Sequence, residues 1–221
     1  MPMPMPMPDT RAHIVLLQMR AAPSAAAHIE ADVTAFCAGL GARVAAAVTL
    51  RRAALSLDGS QAYVYLQSQA AEAPDGEALA AAFGASCDWS SHVRACALEP
   101  KLDIAGAAAG ECPRFHYVVE TDPETGWLDE IARWYDTEHM PGLAAVPGCV
   151  RATRFLNHGG GPLSLACYDL LREDVLGSPP WLAVRATAWS GIARPHFTNT
   201  KRTMFRVVAQ AREGIAEGAA P

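Results

Sequence analysis

The run Trp89-Ser90-Ser91-His92-Val93-Arg94 returns one hundred residues later as Trp189-Ser190-Gly191-Ile192-Ala193-Arg194, sharing W-S-x-x-x-R. Around this echo the predicted elements also repeat in order. His13 to Met19 reads as a strand, and Ala25 to Leu40 as a helix with Ile29, Val33 and Phe36 at helical spacing, closed by Gly39 and Gly41. Arg43 to Leu57 and Gln61 to Ser68 read as strands joined through Asp58-Gly59, a hairpin signal, and Asp75 to Ser86 as a second helix. Phe115 to Thr121, Pro123 to His139, Cys149 to Asn157, Leu163 to Leu171 and Asp174 to Thr187 then read as strand, helix, strand, strand and helix. Arg202 to Gln210 is a last strand. We expect a tandem duplication, and a repeated unit must find cover for whatever face it cannot bury alone.

Strand, helix, two strands, helix, strand is the split βαβ, or ferredoxin-like, order, which packs two helices on one face of a four-stranded antiparallel sheet. The opposite face needs cover too, because both alternating sets of a strand such as Arg202 to Gln210 carry apolar residues. Two such sheets facing each other bury both, and one chain of 221 residues holds two units of this size. We expect an N-terminal unit over 10–106, a C-terminal unit over 107–211, and Pro100 to Pro113 with its GAAAG run as the connection. Residues 1–9, four Met-Pro pairs and Asp9, read as a disordered tail, since alternate prolines offer no backbone donor. Residues 212–221 read as a flexible tail.

Charge and cysteine content narrow the partners. The net charge is −5 and the Lys and Arg residues are scattered, so no basic footprint for nucleic acid or anionic lipid is present. No apolar run approaches the roughly 18 residues needed to span a bilayer, and the N-terminus lacks a secretory leader's basic and apolar regions. The six cysteines form no CxxC pair, and no His, Asp or Glu cluster has metal-ligand spacing. They read as buried reduced thiols of a cytoplasmic protein. Residues 1–110 hold 30 of the 44 alanines but 5 of the 16 aromatics, so the second half has the better material for a shaped ligand site.

That material concentrates between Thr121 and Gly142. Asp122 reads as an N-cap with Pro123 at the first helical position, and Pro141-Gly142 as a stop. Ile131, Tyr135 and His139 fall at i, i+4 and i+8, beside Trp127 and Leu128, on the face that turns to the sheet. An imidazole there, next to a tyrosine hydroxyl, titrates near neutrality as a general acid or base requires. The same spacing also fits a core histidine bonded to a carbonyl, and aromatic residues that only pack.

Trp134-Tyr135-Asp136-Thr137-Glu138-His139-Met140-Pro141-Gly142, followed by Val146-Pro147-Gly148 and a strand with Arg151 and Arg154, resembles the W-Y-D-x-E-H-x-P pattern of the EthD-like proteins. These belong to the dimeric α+β barrel superfamily and are named for a protein of ethyl tert-butyl ether degradation. The resemblance covers residues 115–208 and puts the family's helix histidine at His139. It implies an α+β fold in which two tandem βαββαβ repeats form an intrachain dimeric barrel, with a small-molecule cleft between helices and sheet. It also implies cofactor-free oxygenation, decarboxylation or dehydration, or else haem chemistry.

On this reading His139 is the proton-transfer group, Tyr135 assists, and Trp134, His196, Asn199 and Trp189 contact the substrate, a small apolar or aromatic carbonyl or phenolic compound. No cofactor or metal is called for. The alternatives are a non-catalytic ligand-binding or stress-response protein, and haem binding through His139 or His196. Trp181, eight residues before Trp189, reads as cleft wall or core. Arg194, recurring at Arg94, reads as structural. The first unit offers His28, Ile29, Val33 and Phe36 but no W-x-x-x-x-H-x-P, so one working cleft and one supporting repeat are expected. The pseudo-dimer lessens the need for a further homodimer without excluding one.

Overall fold

In the computed structural model, which describes residues 12–43, 48–70 and 72–211, eight antiparallel strands close into one barrel with every described helix outside it. The first half supplies β1 (His13–Ala21), α1 (Ala25–Arg43), β2 (Val48–Ser56), β3 (Gln61–Ser68), α2 (Gly76–Ser86) and β4 (Ser90–Ala105). The second supplies β5 (Phe115–Pro123), α3 (Leu128–Trp134), α4 (Met140–Ala144), β6 (Cys149–Asn157), β7 (Ser164–Leu170), α5 (Pro179–Arg185), α6 (Ala188–Ala193) and β8 (Phe197–Gln210). Around the barrel the order is β1-β3-β2-β8-β5-β7-β6-β4, so within each half the strands stand fourth, first, third, second. The tails 1–9 and 212–221, and the start of the strand expected from Arg43, lie outside the described residues.

Closure, rather than two sheets merely facing each other, comes from the two fourth strands, β4, to which the periodicity assigned no range, and β8, which begins five residues before the expected Arg202. β4 pairs with β1 up to Leu98 and then with β6 from Leu98 to Ala105. β8 pairs with β5 from Phe197 to Arg206 and with β2 from Phe205 to Gln210. Pro100, expected in the connection, is inside β4; the register shifts between Pro100 and Leu102, which accommodates its missing N–H. The GAAAG run is bound rather than loose, with Ala107 and Ala108 donating to the carbonyls of Ala144 and Cys149.

Strand alternation sorts the core into three clusters. Val15, Leu17 and Met19 of β1 and Val64 and Leu66 of β3 face α1 and α2 with Ile29, Val33, Phe36, Phe83 and Trp89. Tyr117 and Val119 of β5 and Tyr168 of β7 face the second-half helices. Ile14, Leu16, Tyr63, Tyr65, Val118, Phe155, Leu165 and Phe205 fill the barrel interior.

The interior also holds polar groups that the apolar pattern did not announce. Glu120 accepts from Gln18 Nε2 (2.7 Å) and from Tyr63 OH (2.6 Å). At the other end Asp169 accepts from Nη1 and Nη2 of Arg52 (2.5 and 2.6 Å) and bonds His116 Nδ1 (2.7 Å), while His116 Nε2 meets Tyr65 OH (3.0 Å). Burial opposes the Asp169 charge, but Arg52 and His116 outweigh it and hold the carboxyl at about 2.

Several local boundaries differ. α1 continues through Gly39 and Gly41. The single helix expected over Asp174 to Thr187 is a 3-10 turn at Glu173–Val175 and then α5, separated by Gly177 at φ +90° and the Ser178-Pro179-Pro180 start. The cysteines are all free, but Cys112 is exposed and Cys37 half-buried.

Candidate functional site

Helix formation after β5 begins later than the sequence indicates. Asp122 is not a cap: it and Pro123 complete β5, where the Asp122 carboxylate accepts from Leu163 N and Asn199 Nδ2. α3 starts at Leu128, which is exposed, and at Tyr135 the helix widens into a π turn over Tyr135–His139, with Met140 N donating to Tyr135 O. In an α-helix Pro141 would owe a hydrogen bond to Thr137 O, which proline cannot make. Helix continues past Pro141 through Ala144, so Pro141-Gly142 does not stop it. Gly142 is required by the approach of α5, since a Cβ there would lie 2.9 Å from Val184 Cγ1.

The π turn takes up one extra residue and thereby puts His139 over Trp134, with ring centroids 4.1 Å apart and planes 21° from parallel. Glu138 turns aside to accept from Thr187 Oγ1 (2.7 Å). Tyr135 packs edge-on to His139 (5.7 Å) and stacks on Phe197 (5.9 Å). Behind it, the buried Arg154 grips Asp136 through Nε and Nη2 and lies 5.9 Å from the Tyr135 ring.

Trp134, Tyr135 and His139 line a cavity of about 30 Å³ with Tyr117, Val119, Tyr168, Trp181 and Phe197, rimmed by Arg185, Arg194 and Arg202. That is room for about two waters. Four buried polar atoms of the lining have no protein hydrogen-bond partner: Trp134 Nε1, His139 Nδ1, Tyr168 OH and Trp181 Nε1. Buried polar groups are normally satisfied, so this concentration around one cavity is a signature of a binding site. The core-histidine reading, with a carbonyl partner, does not hold. Nor does His139 titrate near neutrality in the free protein: burial, then the charges of Arg194 and Arg185, push it down to about 3, so it is a neutral imidazole. Burial raises Tyr135 above the ordinary phenol range, so its hydroxyl stays protonated.

The other sequence candidates lie elsewhere. His196 stacks on Trp127 (3.3 Å) and bonds Glu124 (2.6 Å), and Asn199 occupies a bulge of β8 at φ +47°, a conformation that asparagine tolerates, where it holds Asp122. Trp189 donates to Glu130 (2.8 Å) beneath Arg133. These three brace α3, α6 and the start of β8 without lining the cavity. Arg194 is at the cavity rim, whereas Arg94 reaches the Gly160 carbonyl, so their shared place in the W-S-x-x-x-R runs does not give them one role. Tyr168 and Arg202 went unnoticed in the sequence. Their signal was pairing, since Tyr168 opposes Tyr117 and Arg202 opposes Val119 on the outer face of the barrel.

In the first half the corresponding space is packed by Phe36, Phe83 and Trp89, with centroids 5.0 and 5.9 Å apart, and His28 is exposed. A haem does not fit the second-half site either. The His139 ring is stacked against Trp134, and His196 is engaged by Glu124 and Trp127. Among the described residues no three His, Cys, Asp or Glu side chains are placed to hold a metal, and no helix is long and apolar enough to cross a membrane.

No protein-family model matches the sequence. No curated protein matches it either. Solved structures do resemble the fold. A "putative monooxygenase" from Lactobacillus acidophilus has a TM-score of 0.62 at 9% identity, covering 92% of this chain and 97% of that one. An anthrone oxidase-like protein has a TM-score of 0.58 at 14% identity, covering 95% and 97%. A chlorite dismutase variant from Candidatus Nitrospira defluvii, in complex with cyanide, has a TM-score of 0.61 at 7% identity, covering 91% and 92%. All are dimeric α+β barrel proteins, and at these identities the likeness is one of fold.

Proposed function

We propose that the chain is a small-molecule enzyme, a cofactor-independent lyase or oxygenase acting on a small aromatic carbonyl or phenolic compound, with His139 as general base. The observation that carries this reading is the unpartnered, neutral His139 imidazole at a cavity walled by aromatic rings. Such a group takes a proton from a phenol or activated C–H, holds it, and returns it to product or intermediate. Burial, and after it the charges of Arg194 and Arg185, depress its basicity, and an anion developing beside it strengthens the imidazole as charge develops. Tyr135 assists as a neutral donor, and Trp134 and Phe197 orient the ring. The names of the neighbours, monooxygenase and anthrone oxidase-like, agree with the oxygenase branch.

The run from Trp134 to Gly142 supports membership of the EthD-like proteins. Two duplicated units, 10–106 and 107–211, are supported by matched details. Trp89 and Trp189 donate to Asp32 and Glu130, each on the first helix of its half, and each fourth strand bulges against the first beside a positive-φ residue, His92 or Asn199. In this reading the first unit is the supporting one. Six free cysteines support a reducing compartment, the cytoplasm.

Oxygen uptake with anthrone tests the oxygenase branch. Anthrone and O2 give anthraquinone and water, and proton loss from anthrone generates the phenolate-like anion that reacts. Uptake above the uncatalysed rate, falling ~100-fold in His139→Gln, supports the reading. Turnover unchanged in a folded His139→Gln contradicts the role of His139, and binding without turnover of any carbonyl or phenol tried favours the non-catalytic alternative.

A further inference from the structure

We infer that the pocket takes a small aromatic anion, a phenolate or carboxylate whose charge is met by Arg185, Arg194 and Arg202; this rests on the cavity being the ligand site.

The three arginines arrive from different elements, α5, the turn before β8 and β8 itself, and converge on the one cavity. Among the described residues none of their guanidinium groups has a carboxylate or hydrogen-bond partner. Five other arginines do have carboxylate partners: Arg52 with Asp169, Arg133 with Glu130, Arg151 with Asp103, Arg154 with Asp136 and Arg172 with Asp174. In a chain of net charge −5 acidic partners are plentiful, so three adjacent guanidinium groups left without one point to an external anion. Burial and the charges of Arg185 and Arg202 already weigh against the charge on Arg194. Guanidinium groups are matched to carboxylate and phenolate oxygens, and partial desolvation at the half-buried Arg185 and Arg194 strengthens that match. The floor supplies the rest: the indole N–H groups of Trp134 and Trp181 donate and cannot accept, so they too call for an acceptor-rich ligand. The cationic mouth of the barrel, lined by Arg20, His92, Arg94 and Lys201, is a poorer anion site because Lys201 already faces the buried Glu120 at 3.4 Å.

The test is an NMR titration of the full chain with salicylate and with its amide isostere salicylamide, at a pH where the amide is uncharged, following the indole N–H signals. The expected result is salicylate binding ~10- to 100-fold tighter than salicylamide, the fold-change of a charge-assisted hydrogen bond. The preference is lost in an Arg185→Gln/Arg194→Gln variant, largely kept in Arg194→Lys, and unaltered in Arg94→Gln at the barrel mouth. Equal affinity for the two compounds overturns the anion inference and leaves the pocket standing. Loss in Arg94→Gln instead of the double variant overturns it in favour of the barrel mouth. Binding of neither compound overturns the inference and removes the pocket reading with it. Unchanged melting temperatures of the variants show that binding, not folding, was altered.

Discussion

Trp134 and His139 stack at 4.1 Å although five residues separate them. Five residues of α-helix would leave the two side chains about 140° apart around the axis, at roughly 100° per residue. The π turn over Tyr135–His139 closes that angle. Trp134 is therefore the platform of the site and also a core residue, since it is fully buried. Trp134→Phe keeps an aromatic face and is expected to cost about 1 kcal/mol, whereas Trp134→Ala should cost about 3 to 5 kcal/mol by denaturant titration. A cost for Trp134→Ala below that of Trp134→Phe would show that the indole does not support the helix.

The depressed basicity of His139 makes stability depend on pH. Folded His139 takes up its proton only near pH 3, while the unfolded chain does so near its ordinary 6.5. Between those values the unfolded state binds the extra proton, so stability falls as pH drops. From about pH 7 to about pH 5 the loss attributable to His139 is about 2 kcal/mol, at roughly 1.4 kcal/mol per unit. Denaturation curves of the natural chain and His139→Gln should diverge by that amount, the variant being the less acid-sensitive. Parallel curves contradict the neutral, buried imidazole.

The Arg52–Asp169 pair ties β2 of the first half to β7 of the second across the barrel end. Asp169→Asn leaves Arg52 uncompensated beside His116 and is expected to cost about 3 kcal/mol, while Arg52→Met/Asp169→Leu recovers most of the loss because no lone charge stays buried. Salicylate affinity should be unchanged in both. A double variant as unstable as the single one would mean that the pair itself, not the orphaned charge, carries the stability.

Gly106 sits where β4 ends and the chain crosses to β5. A Cβ there would come within 2.2 Å of the Cys149 carbonyl oxygen, and neither backbone can yield cheaply. Gly106→Ala is expected to destabilise by about 2 kcal/mol in thermal or chemical unfolding. A neutral effect would show that this crossing is free to shift.

How far the sequence could be read depended on whether the governing contact was local. Gln61–Ser68 and Cys149–Asn157 were legible to the residue because alternation and turn residues mark them. The second helix was read from Asp75, which the structure makes the N-cap of α2, its side chain accepting from Ala78 N. β4 and β8 were not, because their ends are fixed by partners in the opposite half of the chain, which no local pattern reports. His139 was marked by its motif, but its neutral state comes from burial and then from Arg194 and Arg185, some fifty residues away. The π turn was hidden because Ile131, Tyr135 and His139 satisfy α spacing while the helix in fact widens. Phe197 and Tyr168 join the site only through strand pairing.

The most direct measurement is a crystal structure of the chain with salicylate. The account predicts the phenol oxygen in the cavity at His139 and the carboxylate on its rim at Arg194. Salicylate seated in the barrel mouth beside Arg94 and Lys201, with His139 and Trp134 unchanged, would contradict it.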